Sequence, residues 1–153
     1  MNTQTAPTVS LQVKRLIKAP IARVFAAWTT PDQVRLWLGC HMMASAKMDV
    51  RVGGEYCFNM VKPQGENAVR GVYREVTPPK RLVFTWFANA SCTGGEGAGE
   101  TLVTVDFTEA QGGTEVRITH ERFPSTEARD RHNEGWTLSL EHLEKLLAGV
   151  KVR

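Results

Sequence analysis

What most constrains this chain is an order of elements: six short segments of alternating apolar residues, and behind them one long amphipathic stretch. The alternating segments fall at 44–50, 54–62, 68–76, 81–88, 101–109 and 114–121. They are divided by Gly53-Gly54, Pro63-Gln64-Gly65, Pro78-Pro79, the glycine-rich "SCTGGEGAG" at 91–99, and Gly112-Gly113. Six such segments in series, joined by short turns and one glycine-rich loop, read as antiparallel neighbours. The segments therefore predict a meander.

A sheet of this kind must cover one face, and only one later segment is long enough to do it. From Ser125, "STEARDRHNEGWTLSLEHLEKLLAG" opens with a capping Ser after Pro124, carries acidic residues early, and ends at Gly149. Ala128, His132, Trp136, Leu140, Leu143 and Leu147 recur at steps of three and four, so they share one helical face. Gly135 interrupts this helix at a cost of about 1 kcal/mol against Ala, which predicts a close backbone approach or a bend beside Trp136.

The N-terminal third supplies one more strand and two short helices. Val9, Leu11 and Val13 alternate within 8–17, which predicts a seventh strand. Pro20 then stands at a first helical position, with Ile21, Val24, Phe25 and Trp28 along one face. Thr30-Pro31-Asp32-Gln33 reads as a capping box that opens a second helix carrying Val34 and Trp37 and ending at Gly39. A curved sheet cannot lie flush on a straight helix, so a gap between them, closed at one end by the short helices, is the expected ligand site.

Several classes are excluded. At 153 residues the chain suits one domain, at 8–150, behind a frayed tail at 1–7. Net charge is +3 with Lys and Arg scattered singly, so no basic stripe follows a phosphate backbone and nucleic acid is not an expected partner. No apolar run reaches 18 residues and no leader pattern opens the chain, which points to a cytoplasmic protein without membrane insertion. Cys40, Cys57 and Cys92 share no paired spacing and read as free thiols. Cys40-His41 has no matching ligand pair and reads as loop, so neither a metal nor another cofactor is expected. The 91–99 loop lacks the strand and helix context of a phosphate cradle and reads as a lid over the cavity mouth.

The stretches "APIARVFAAWTTPDQVRLWLG", "VGGEYCFNM", "GVYREVTPPKRLVFTW", "ETLVTVDFTEAQGGTEVRITHERFP" and "HNEGWTLSLEHLEKLL" resemble the START-like (SRPBCC) superfamily, in its branch of heat-shock-ATPase-activator homologues. The resemblance runs from about Val9 to Leu147. It implies an α+β helix-grip fold: a seven-stranded curved antiparallel sheet wrapped around a long C-terminal helix, two short helices after the first strand, and an apolar cavity between sheet and helix. The superfamily includes carriers of lipids and other hydrophobic ligands, hormone-binding proteins and polyketide cyclases, and its activator proteins stimulate a heat-shock ATPase.

Inward phase on the strands selects the candidate cavity residues. Val105, Phe107, Ile118 and His120 lie in phase on the last two strands, with Phe84 and Trp86 on the strand before. His132, Trp136 and Leu140 come from the long helix, Trp37 from the second short helix. Phe58 and Tyr73 complete the set on strands whose phase the pattern leaves open, while Trp28 reads as core. Glu75 is either a polar hook in the cavity or a partner in an outer salt bridge. No nucleophile motif is present, so no residue is assigned a catalytic role. The favoured function is binding of a small hydrophobic molecule of lipid, acyl or aromatic class. The alternatives are a cyclase or dehydratase using His120 or His132, and a stress-linked interaction module with a chaperone partner. Monomer and homodimer both remain open.

Overall fold

The computed structural model describes residues 9–38, 43–62, 65–90 and 100–148. Elements run β1 (Val9–Ile17), α1 (Ile21–Thr29), α2 (Pro31–Trp37), β2 (Met43–Met48), β3 (Glu55–Lys62), β4 (Gly65–Thr77), β5 (Arg81–Ala90), β6 (Glu100–Ala110), β7 (Gly113–Phe123) and α3 (Thr126–Leu147). The strands form one antiparallel sheet in the order β1-β7-β6-β5-β4-β3-β2. Because β1 pairs with β7 while β2 lies at the opposite edge, the chain must cross the sheet between them, and α1 and α2 make that crossing. The tail at 1–7, Gly39, the Cys40-His41 pair, the 91–99 loop and Gly149 lie outside the described residues.

Strict alternation sets the inner face of β6 and β7. Thr101, Val103, Val105 and Phe107 are buried on β6, and Thr114, Val116, Ile118 and His120 on β7. Carried on unchanged, the same period would drive Arg122 into the core. Instead Arg122 adopts φ +72°, the β1–β7 register slips between Val9 and Leu11, and Phe123 turns inward in its place. On β3 and β4 the structure settles the open phase: Tyr56, Phe58 and Met60 face in, as do Val69 and Tyr73. Register shifts between Ala68 and Arg70 and between Tyr73 and Glu75 bend β4 against β5. Glu75 lies outside, near the Arg81 guanidinium (3.9 Å) and accepting from the Thr77 hydroxyl (2.9 Å).

At Gly71 the bend needs glycine. A Cβ there would stand 2.0 Å from the Thr85 carbonyl oxygen and 2.8 Å from the Tyr56 ring. The bare backbone lets the Tyr56 ring lie across β4 and donate its hydroxyl hydrogen to that carbonyl.

The long helix begins as its sequence dictates, with the Ser125 hydroxyl accepting from the Ala128 N–H at 3.1 Å. It buries Ala128, Trp136, Ser139, Leu140 and Leu143, leaves His132 half-buried, and lies against β1, β7 and α2. Arg15 on β1 and Glu144 on α3 pair across that contact at 2.7 Å.

Four local expectations change. Pro20 is the residue before α1 rather than its first helical position. Thr30 precedes α2 without a side-chain cap, because its own carbonyl already accepts the Gln33 N–H at 3.0 Å, the group its hydroxyl would have bound. Gly135 meets neither a close backbone nor a crowded side chain; a Cβ there would enter open space. Cys57 is disulfide-bonded, not a free thiol. It sits on the outer face of β3, between Lys47 of β2 and Arg70 of β4, and the other two cysteines of the chain lie outside the described residues.

Candidate functional site

Aromatic rings gather where the sheet, α2 and α3 meet. Trp28 at the end of α1 lies edge-on to Trp37 of α2 (centroids 4.6 Å apart) and stacks over Trp136 of α3 (5.9 Å). Trp136 in turn meets Trp86 of β5 at 5.1 Å. Tyr56, Phe58, Tyr73 and Phe84 continue the shell along β3, β4 and β5, with neighbouring centroids 4.7 to 5.8 Å apart. Such edge-on and offset contacts each add about 0.5–1.5 kcal/mol beyond simple burial.

The shell surrounds a void of only about 10 Å³, lined by Trp28, Val34, Trp37, Leu38, Tyr56, Phe58, Tyr73, Leu82, Phe84, Trp86 and Trp136. A single water needs roughly that much room. The gap expected between sheet and helix is therefore filled by side chains. All four tryptophans of the chain line what remains of it.

Of the residues singled out from the sequence, Trp37, Phe58, Tyr73, Phe84, Trp86 and Trp136 come together around the void. Val105, Phe107, Ile118, His120 and Leu140 are buried but not at its wall, and half-buried His132 stands off it as well. Sequence reasoning passed over Trp28, Val34, Leu38, Tyr56 and Leu82 as lining residues. For two of these the signal was present: Tyr56 shares parity with Phe58 on β3, and Leu82 with Phe84 and Trp86 on β5.

The histidines are positioned by hydrogen bonds behind this wall. Trp136 donates its indole N–H to Nδ1 of His120 at 3.0 Å. An indole nitrogen only donates, so Nδ1 is the unprotonated nitrogen and the imidazole proton sits on Nε2. From there it is donated to the Thr101 hydroxyl at 2.7 Å, and Thr101 donates onward to the Trp86 carbonyl at 2.9 Å. His120 is 0% exposed, and burial first, then neighbouring His132, push its pKa down to about 2. It is a neutral imidazole with both nitrogens occupied. His132 lies 5.1 Å from it, ring to ring, with Nδ1 2.8 Å from the Ala128 carbonyl. Burial likewise raises the pKa values of Tyr56 and Tyr73, so both phenols stay protonated.

Two polar atoms in the shell have no partner. The indole nitrogens of Trp28 and Trp86 are buried without a hydrogen bond, whereas Trp37 donates to the Ala27 carbonyl at 3.0 Å. Elsewhere, a wider depression of about 530 Å³ lies against Lys47, Glu55, Cys57, Arg70 and Glu100, open and of mixed charge, and holds none of the candidate residues. Among the described residues no cluster of three or more His, Cys, Asp or Glu side chains is placed to hold a metal, and no helix is long and apolar enough to cross a membrane.

A seven-stranded curved antiparallel sheet with a long C-terminal helix, and two short helices after the first strand, defines a helix-grip domain. More narrowly, the chain belongs to the activator of Hsp90 ATPase homolog 1-like family, which matches residues 18–148. It is similar in structure to an uncharacterized protein from Rhizobium leguminosarum, at 27% identity and a TM-score of 0.79 over 92% of this chain and 95% of that one. A protein from Chromobacterium violaceum (24% identity, TM-score 0.77, 90% and 96% covered) and one from Arthrobacter aurescens (24%, 0.77, 92% and 86%) share the fold. No curated protein matches the chain significantly. Hydrophobic ligands are common among proteins of this fold family.

Proposed function

We propose that this domain binds a small hydrophobic molecule between the sheet and α3, seated where the four tryptophans converge. The observation that carries this reading is the composition of the wall: every residue around the void is apolar or aromatic, contributed by α1, α2 and Leu38 just beyond it, β3, β4, β5 and α3. A drug-sized ligand needs roughly 300 Å³ or more, so it enters only by displacing side chains that now fill the space. Binding then exchanges ring-on-ring packing for ring-on-ligand packing, and the surplus comes from apolar ligand area removed from water, about 25 cal/mol per Å².

The test is thermal-shift and native mass-spectrometric screening of the chain against fatty acids, sterols and aromatic polyketides. The expected outcome is a stabilising, stoichiometric hit accompanied by a change in tryptophan emission. Indifference to all three classes would reject the reading.

The family match favours a second reading, a chaperone-linked interaction through the outer surface. It predicts stimulation of a heat-shock ATPase on addition of the chain. By contrast, proton transfer by His120 gains no support from its geometry, because both ring nitrogens are engaged and the pKa lies far below neutrality.

A further inference from the structure

From the hydrogen bonds made and left unmade around the void we infer that the ligand is neutral and presents a carbonyl-type oxygen that accepts from the indole N–H groups of Trp28 and Trp86. The inference rests on the proposed binding site and specifies what occupies it.

Four indole N–H groups belong to residues at the void, and they divide evenly. Trp37 gives its hydrogen to the Ala27 carbonyl and Trp136 gives its own to His120. Those of Trp28 and Trp86 go to nothing, although the two residues are only 5% and 7% exposed. Buried donors are nearly always paired, so two unpaired ones on residues that line the same void are the anomaly to be explained. The edge-on neighbours, Trp37 beside Trp28 and His120 beside Trp86, offer at most the weak attraction of a ring face. An oxygen acceptor supplied by a ligand recovers what folding left unmade.

Charge narrows the class. No Lys, Arg, Asp or Glu lines the void, and His120 behind it is neutral. A carboxylate brought here would be buried without a counter-charge, a far larger penalty than two indole donors offset. A ligand that only donates would leave both N–H groups unpaired and add an orphan of its own. Ketones, esters, lactones and quinones on an aromatic or apolar frame meet both conditions. Free fatty acids and hydrocarbons do not.

Three probes on one tricyclic frame separate the terms: 9-fluorenone, fluorene and the in-plane-substituted fluorene-2-carboxylate, titrated against the intact chain by tryptophan fluorescence and calorimetry. The ketone is expected to bind about tenfold tighter than the hydrocarbon, as one recovered hydrogen bond implies, and the carboxylate weakest of the three. Trp28→Phe or Trp86→Phe keeps an aromatic but smaller ring and deletes the N–H, so either shifts both affinities through the lost ring area and, as the readout, lowers the ratio of ketone to hydrocarbon affinity. Trp37→Phe, whose N–H is already spent, leaves the ratio of the two affinities at its native value. Because Trp28→Phe and Trp86→Phe remove unpartnered donors, unfolding midpoints of the unliganded variants should not fall as they do for Trp136→Phe, which strips an acceptor of its donor. Equal binding of ketone and hydrocarbon overturns the inference while leaving the apolar site standing. Tightest binding by the carboxylate overturns the neutrality argument. Failure of all three probes to bind overturns the inference together with the site beneath it.

Discussion

His120 makes the chain's stability depend on pH in a window where carboxylates barely contribute. Folded, its imidazole is held neutral between Trp136 and Thr101, with a pKa near 2. Unfolded, it returns to about 6.5. Between these values the unfolded chain binds a proton that the folded chain refuses, so stability is full above pH 6.5 and falls as the pH is lowered through it. The loss from this one group is RT ln(1 + 10^(6.5 − pH)), about 1.4 kcal/mol between pH 7.5 and 5.5 and about 2.7 kcal/mol by pH 4.5. Urea unfolding at intervals across pH 5.5–7.5 measures the slope directly. His120→Asn removes the titrating group while every other ionisable residue stays, so the variant's curve should be flatter by about one proton. Its overall stability will be lower for packing reasons, but slope and not height is the readout. Long-range ¹H–¹⁵N spectra of the native chain should show the proton on Nε2 and no titration of that ring down to pH 4.5. A native ring titrating near 6, or parallel curves for the two proteins, would refute the argument that the Trp136–His120–Thr101 chain fixes a neutral histidine.

Two glycines predict opposite outcomes. At Gly135 a Cβ enters open space inside a helix, so Gly135→Ala should raise stability by about 1 kcal/mol in chemical denaturation; a loss instead would mean that the space beside α3 is occupied. At Gly71 the added carbon would meet the Thr85 carbonyl oxygen at 2.0 Å and the Tyr56 ring at 2.8 Å, so Gly71→Ala should cost about 3 kcal/mol and displace Tyr56. Near-UV circular dichroism reports that displacement, and a variant within about 0.5 kcal/mol of native would remove Gly71 from the account of how the aromatic shell is built.

What the sequence made legible follows from how far each signal reaches. The alternation of Val103, Val105 and Phe107, the stripe from Ala128 to Leu143 and the Ser125 cap are local, and each is present as read. On β4 the phase stayed open because the two register shifts change which parity faces inward partway along the strand, and a bulge has no signature in a simple period of two. The same holds for Arg122, which breaks the alternation of β7 so that Phe123 replaces it inside.

The void lies beyond either kind of signal. Its four tryptophans stand at positions 28, 37, 86 and 136, on four different elements, and periodicity could assign each to an inner face without saying how far apart the faces are held. Trp28 shows why core and cavity wall were never exclusive: on a sheet bent this far, a ring can fill the interior on one side and border its last unfilled space on the other. Nor could sequence tell the four apart chemically. Trp37 and Trp136 hold the fold together through their N–H groups, by way of Ala27 and His120, while Trp28 and Trp86 contribute rings and keep their donors in reserve. Only the partners distinguish the two pairs, and on that distinction rests the proposal that a ligand at the void presents a carbonyl-type oxygen.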